Sequence, residues 1–254
     1  MKKNDNEQSV SFVGHLSELR SRLIKSFLFL MLAFIVSYYF SKEIYEFLVK
    51  PYADAVIENN LDRRLIFTAL HEAFITYLKV AFFASFFITS PIFLTQIWKF
   101  VAPGLYKNEK KALLPYLIAT PILFIFGGML VYYLIMPLAI KFFLSFESSA
   151  DVGTIAIQLE AKVNEYLSLI MKLIFAFGLS FQLPVILSLL ARIGVIDSEY
   201  LKTRRKYVVV IIFAVAAILT PPDPITQIGL AFPLLILYEL SILTVKIIEK
   251  KEDA

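Results

Sequence analysis

The chain has 254 residues, of which 59% are hydrophobic and only 18% are charged, and its mean hydropathy is +0.73. This composition is typical of a membrane protein, because soluble domains carry about a quarter charged residues. The absence of cysteine excludes disulfides, thiol nucleophiles and thiolate metal sites, and two histidines leave little for a metal centre.

Six apolar runs along the chain are candidates for transmembrane helices, since a bilayer core requires about 20 apolar residues per helix. The first run follows a charged amphipathic segment and precedes no small-residue cleavage site, so we predict a retained helix and not a cleaved signal peptide. We therefore expect an all-α membrane protein with a single integral membrane domain over residues 1–254. The predicted transmembrane helices are residues 23–40, 74–97, 113–136, 163–190, 207–219 and 227–248.

The fifth run is short, and the sixth follows it almost at once. The stretch "YVVVIIFAVAAIL" would form a helix only about 20 Å long, and it ends at "TPPDP", where prolines stop a helix. Pro233 interrupts the sixth run. Short fifth and sixth helices predict a concave bundle with a thinned bilayer or a water-filled depression beside them. The alternative is a tilted bundle in a bilayer of ordinary thickness.

The lysines and arginines predict the orientation of the chain, because cytoplasmic loops carry an excess of both. Seventeen lie on the side of the two termini, six lie on the opposite side, and the remaining two, Lys79 and Lys172, lie further inside predicted helices. Both termini are therefore expected to be cytoplasmic, and topology explains the pI of about 9.0 without nucleic acid. The larger loops, residues 42–72 and 137–162, would form a periplasmic cap.

Two acids lie at the predicted cytoplasmic surface. In "HLSELRSRL", a helix would align His15, Glu18 and Arg22 on one stripe. Glu18 is then either an ordinary i,i+4 partner of Arg22, contributing about 0.2–0.5 kcal/mol, or part of a receptor for a cation. Glu109 is the only acid in a loop with four lysines. It is either a neutralised surface charge of little energetic value or a second receptor group.

Polar side chains also occur within the apolar runs. Glu239 in "ILYELSI" is either a functional intramembrane acid or a partnered structural acid near the cytoplasmic end. Gln182 and Gln227 are expected to join helices by hydrogen bonds or to contact a partner helix. The sequence contains no HExxH, GxSxG or P-loop motif, and neither histidine lies in a predicted span. We therefore expect a protein that is not an enzyme.

Five motifs occur in one order along nearly the whole chain. They are "HLSELRSRL", "SPIFLTQIWKFVAPGLYKNEKK", "FAFGLSFQLPV", "LTPPDPITQ" and "PLLILYEL". With six predicted spans and both termini inside, this set resembles the TatC family, the multispanning component of the twin-arginine protein translocase.

The resemblance implies a receptor for Arg-Arg signal peptides of folded cargo proteins in a bacterial-type cytoplasmic membrane. It also implies single-span partners of the TatA and TatB type, self-association in the complex, transport driven by the proton-motive force, and no cofactor. Glu18 and Glu109 match the family's acids for signal recognition. Arginine meets carboxylates through a planar, bidentate fork that lysine lacks, which agrees with that role. The other positions matched to signal recognition are His15, Leu19, Arg20, Phe100, Pro103, Leu105 and Tyr106, and Pro51 matches a sensitive position in the periplasmic cap.

One position departs from the family's pattern. Gln182 stands where the fourth-helix motif often carries an acid, so a mechanism that needs a carboxylate there is in doubt for this chain. Two other classes of function stay open. A secondary transporter would use Glu239, although such proteins usually show internal repeats and a midplane site. A structural scaffold would tolerate the loss of Glu18 and Glu109.

Overall fold

The computed structural model describes residues 4–58, 63–105, 110–148, 157–220 and 222–252, and nearly all of them are helical. Two isolated bridges pair Ile66 with Lys162 and Ser148 with Ile157. The all-α prediction is confirmed. The helices are α1 (Asn4–Tyr39), α2 (Ser41–Glu58), α3 (Glu72–Leu105), α4 (Lys110–Leu130), a π-helical turn (Val131–Ile135), α5 (Met136–Leu144), α6 (Val163–Ser180), α7 (Leu183–Arg192), α8 (Ser198–Leu219) and α9 (Pro224–Glu252).

Helix α1 joins the predicted amphipathic segment to the first predicted span without a break. Its 36 residues extend for about 54 Å. After Phe40 the chain turns by 77° into α2, which contains the stretch "KEIYEFLVKPY" of the predicted cap.

Among the described residues, four helical segments are long and apolar enough to cross a membrane, or five if the bent pair α1 and α2 counts as one span. The four are Glu72–Gln96, Leu114–Leu144, Val163–Arg192 and Pro224–Lys250. Helix α8 is not among them because its first turns are charged and its apolar part is only residues 207–219. The count of six spans therefore stays a prediction.

Two of the predicted spans have a different local structure. The third continues from α4 through the π-helical turn into α5, where the backbone N–H of Met136 donates to the carbonyl of Val131. The fourth is divided into α6 and α7 at Phe181 and Gln182. Pro184 follows this break, and a proline ring there is incompatible with a regular helical carbonyl four residues earlier.

The core of the bundle receives side chains from most of the helices, and its aromatic part lies where α3, α4 and α6 pack against one another. Phe124 and Phe177 are fully buried there, and the Phe83 and Phe175 rings meet edge to face at 5.4 Å. Helices α4 and α6 approach so closely that a Cβ atom on Gly127 would lie 2.8 Å from the Phe177 carbonyl oxygen. Small residues at helix crossings allow this close packing inside a membrane.

The described parts of the loops that follow α2 and α5 are hydrogen-bonded to each other at one end of the bundle, here called the cap end (residues 41–58, 63–71, 141–148 and 157–162). The backbone N–H of Ile66 donates to the Ala161 carbonyl, and that of Val163 donates to the Ile66 carbonyl. Arg63 and Glu147 form a two-pronged ion pair between the same loops. The cap predicted from the loop lengths is therefore a hydrogen-bonded unit.

Pro51 lies inside α2 and is buried. Proline has no N–H, so it leaves the carbonyl four residues earlier, that of Phe47, without its helical donor. The hydroxyl of Tyr132 donates to this carbonyl at 2.7 Å, and the hydroxyl of Tyr166 donates to the carbonyl of Leu48 at 3.0 Å. Tyr132 therefore compensates for the proline, and both tyrosines hold α2 on the core.

This arrangement predicts a coupling between Tyr132 and Pro51. Tyr132→Phe should lower the free energy of unfolding by about 1–2 kcal/mol, because the Phe47 carbonyl loses its donor. The loss should be smaller in a Pro51→Ala background, where the backbone N–H at position 51 is restored. Thermal unfolding of the four proteins in nanodiscs measures the cycle, with Tyr133→Phe as the matched control. Purely additive effects would contradict the coupling.

Candidate binding surface at the motif end

The opposite end of the bundle, here called the motif end, contains the start of α1, the end of α3, and the α7–α8 connection. A hydrogen bond across the bundle fixes two of these parts. The Arg22 guanidinium donates to the Gln96 side-chain oxygen at 2.7 Å, although the two residues are 74 positions apart. The antiparallel helices α1 and α3 thereby hold the first two sequence motifs beside each other.

The predicted recognition residues of α1 lie one or two turns before Arg22. The helix includes His15 and Glu18, and within it Leu19 is partly buried and Arg20 is exposed. On α3, Phe100 lies one turn beyond Gln96, and Pro103 and Leu105 belong to the last turn. Tyr106 and Glu109 lie outside the described residues.

The start of α8 and the end of α9 form the other part of the motif end. Asp197 caps α8 by accepting from the backbone N–H of Tyr200, and Glu249 accepts from the backbone N–H and the hydroxyl of Ser198, both at 2.6 Å. Acidic groups at a helix start satisfy N–H groups that have no partner within the helix. These hydrogen bonds fix the first segment of α8, which is strongly basic. Within this segment, the Arg204 guanidinium lies near the rings of both Tyr200 and Tyr207.

Glu239 has a partner within the chain. Its carboxylate accepts from Arg205 on α8 at 2.6 Å, and both side chains are about half exposed. The neighbouring Tyr238 hydroxyl donates to the Leu201 carbonyl. Of the two interpretations of Glu239, this geometry favours the partnered structural acid toward the motif end over an isolated acid at the midplane.

Gln182 lies at the break between α6 and α7, and only 3% of its surface is exposed. Its amide nitrogen donates to the Thr120 carbonyl of α4 at 3.0 Å. Gln182 therefore forms the predicted hydrogen bond between helices, and it does so with α4 of the same chain. A direct contact of Gln182 with a partner helix is not supported by this burial. Gln227 is partly buried near the start of α9.

Asp223 is a buried polar residue that the sequence reasoning did not select. It accepts from the backbone N–H of Thr226 at 2.8 Å and from the Thr226 hydroxyl. Its carboxylate thus caps α9, whose first residue is Pro224, the last proline of "TPPDP". An aspartate followed three residues later by a hydrogen-bonding side chain is a helix-start pattern that could have identified it.

Taken together, these features define a helical, multispanning membrane protein with an ordered cap at one end and a motif-bearing surface at the other. The family model described as Sec-independent protein translocase protein (TatC) matches residues 14–233. The chain belongs to the TatC family. This is a family of protein translocase components, so the protein functions in transport and is not an enzyme.

Individual relatives match over almost the full chain. The Sec-independent protein translocase protein TatC of Magnetococcus marinus is 48% identical over 97% of this chain and 88% of that protein. That of Rickettsia prowazekii is 44% identical over 94% of each. A crystal structure of the twin arginine translocase receptor TatC is 36% identical, covers 92% of this chain and 99% of that one, and superposes with a TM-score of 0.77.

Proposed function

We propose that this protein is the receptor subunit of a twin-arginine translocase and that its motif end binds the Arg-Arg pair of a signal peptide. The observation that carries the proposal is the Arg22–Gln96 hydrogen bond, which holds the two motif-bearing helix ends together. Glu18 on α1 and Glu109 in the loop after α3 are the proposed carboxylates. His15, Leu19, Arg20, Phe100, Pro103, Leu105 and Tyr106 complete the proposed surface.

The chemistry of the two arginines explains why a pair of acids is needed. A guanidinium group donates two parallel hydrogen bonds to one carboxylate, whereas a lysine ammonium is a point charge without this geometry. Two carboxylates held at a fixed separation can therefore distinguish Arg-Arg from Lys-Lys at equal total charge. Basic groups elsewhere at the motif end would repel a peptide that lacked this match.

The same proposal includes the topology and the partners. Both termini and the motif end face the cytoplasm, in agreement with the excess of lysine and arginine there, and α8 crosses a locally thin bilayer as the fifth of six spans. The protein lies in a bacterial-type cytoplasmic membrane, associates with itself and with single-span TatA- and TatB-type proteins, and moves folded cargo at the expense of the proton-motive force. No cofactor is required.

Site-specific cross-linking of a signal peptide in native membranes tests the recognition step. An Arg-Arg peptide should cross-link strongly to the wild type, whereas its Lys-Lys twin should not. Glu18→Ala or Glu109→Ala should weaken the Arg-Arg cross-link about tenfold or more, as expected for a lost charge-assisted hydrogen-bonded pair. Glu199→Ala is the matched control, because Glu199 is an exposed acid at the same end.

Equal cross-linking of both peptides to all variants would overturn the receptor proposal and favour the scaffold. The transporter alternative is tested by Glu239→Gln. We expect cargo translocation to persist in this variant because the Glu239 carboxylate forms an ion pair with Arg205 and is not an isolated intramembrane acid. Complete loss of translocation with normal assembly would instead favour a proton-coupled role for Glu239.

A substitution at Gln182 tests how the interior of the bundle affects partner binding. Gln182→Leu removes the hydrogen bond to the Thr120 carbonyl and should disturb the contact between α4 and α6. We expect weaker co-purification of the single-span partner and nearly unchanged cross-linking of the signal peptide. Normal co-purification with the Gln182→Leu protein would contradict this prediction.

A further inference from the structure

Two neighbouring clefts at the cap end share the side chains of Phe47, Tyr132 and Tyr133. The first cleft, of about 300 Å³, lies between α2 and α5 and is lined by charged side chains among apolar ones; the second, of about 410 Å³, has an almost entirely apolar lining and lies between α2, α3, α4 and α6. Together they form one surface feature with a charged part near the cap and an apolar part beside the membrane core, here called the amphipathic cleft.

The charged part contains two positive and two negative side chains. Lys50, Asp54 and Glu58 lie on one face of α2, and Lys141 on α5 donates to Glu58 at 2.8 Å. Lys50 and Asp54 are exposed, and within the described part of the chain neither makes an ion pair. The charged part is therefore neutral overall but offers a free cation and a free anion one helical turn apart.

The apolar part is bounded by the rings at its entrance. Phe47 stacks on Tyr132 at 4.3 Å with nearly parallel planes, and the Tyr132 hydroxyl is held by the Phe47 carbonyl. Gly128 and Met129 on α4 and Ile88 on α3 also line the apolar part. The π-helical turn carries both Tyr132 and Tyr133, and such turns often occur at functional sites.

We infer that the amphipathic cleft binds one membrane phospholipid with a phosphoethanolamine headgroup. The phosphate fits Lys50 and Lys141, the primary ammonium fits Asp54 and Glu58, and one acyl chain fills the apolar part. A purely anionic headgroup would meet the two carboxylates, and a choline headgroup lacks the N–H donors that they accept. This inference concerns the end opposite the signal-peptide surface and does not rest on the proposed receptor function.

Native mass spectrometry of the purified full-length protein with equal amounts of phosphatidylethanolamine, phosphatidylcholine and phosphatidylglycerol tests the inference. The wild type should retain phosphatidylethanolamine about three- to tenfold better than either other lipid, as expected for one or two additional hydrogen bonds. Asp54→Asn should abolish that preference. Glu46→Gln, a change at an exposed acid on α2 that does not line the cleft, should leave it unchanged.

Two further variants separate the headgroup from the acyl chain. Asp54→Lys should shift the preference toward phosphatidylglycerol, because the charged part becomes positive. Met129→Trp should reduce retention of all three lipids by filling the apolar part. Equal retention of the three lipids by the wild type would overturn the inference. An unchanged preference in the Asp54→Asn protein would overturn it as well.

Discussion

Gly127→Ala is expected to destabilise the bundle by about 2–3 kcal/mol, since overpacking a tight contact forces the backbone to move. The added Cβ would lie 2.8 Å from the Phe177 carbonyl oxygen, 2.9 Å from its carbonyl carbon and 3.0 Å from the Gly178 nitrogen. All three atoms belong to the backbone of α6. Helix α6 would therefore have to move away from α4, because no flexible side chain can yield.

Thermal unfolding in nanodiscs measures this effect against two other glycine substitutions. Gly14→Ala should not destabilise the protein, because a Cβ there meets nothing within 4 Å. Gly128→Ala should have an intermediate effect, because its nearest neighbours are atoms of the Phe87 ring, which can rotate. Equal stability of the Gly127→Ala and Gly14→Ala proteins would contradict the close crossing of α4 and α6.

Arg63→Ala is expected to loosen the cap and to lower the free energy of unfolding by about 1–3 kcal/mol. Arg63 donates to both Glu147 oxygens, at 2.9 and 3.0 Å, and the two side chains are only 16% and 12% exposed. The Leu159 N–H also donates to Glu147. Removing Arg63 leaves a largely buried carboxylate without its counter-charge, which costs more than losing a surface ion pair.

Neighbouring substitutions give the controls for this prediction. Arg64→Ala changes an exposed arginine next in the chain and should have little effect. Arg63→Lys keeps the charge but loses the two-pronged geometry, so its stability should lie between those of the wild type and Arg63→Ala. Hydrogen exchange of residues 63–71 and 157–162 should accelerate in Arg63→Ala. Unchanged exchange would contradict a linking role for this ion pair.

The same ion pair predicts a pH dependence. The hydrogen bonds from Arg63, followed by that from Leu159, hold the pKa of Glu147 below its ordinary value of 4.5. Protonation therefore favours the unfolded chain, so the contribution of Glu147 is fully present above about pH 4.5 and is lost as pH falls through the lower folded-state pKa. Unfolding of wild type and Glu147→Gln between pH 3 and 6 should converge at the acid end. Parallel curves would contradict this linkage.

Much of this protein could be predicted from local patterns along the chain. Long apolar runs must become helices in a bilayer because their backbone groups have no other hydrogen-bond partners there. The all-α class was predicted from this reasoning, and the family was predicted from five ordered motifs. The break at Gln182 and the continuation of α4 into α5 were not predicted. Hydropathy does not distinguish a straight helix from a divided one.

The contacts that organise the two ends depended on the tertiary structure. Arg22 meets Gln96, Arg63 meets Glu147, and Tyr132 compensates for Pro51, across separations of 74 or more residues. Such pairs require the crossing angle and the axial register of two helices, and these depend on the summed packing of many side chains. Composition and motif order can be read directly along the chain, so the sequence sufficed to predict the class and the family. Which groups form hydrogen bonds and ion pairs with each other depends on how the helices pack, so only the tertiary structure determined these pairs.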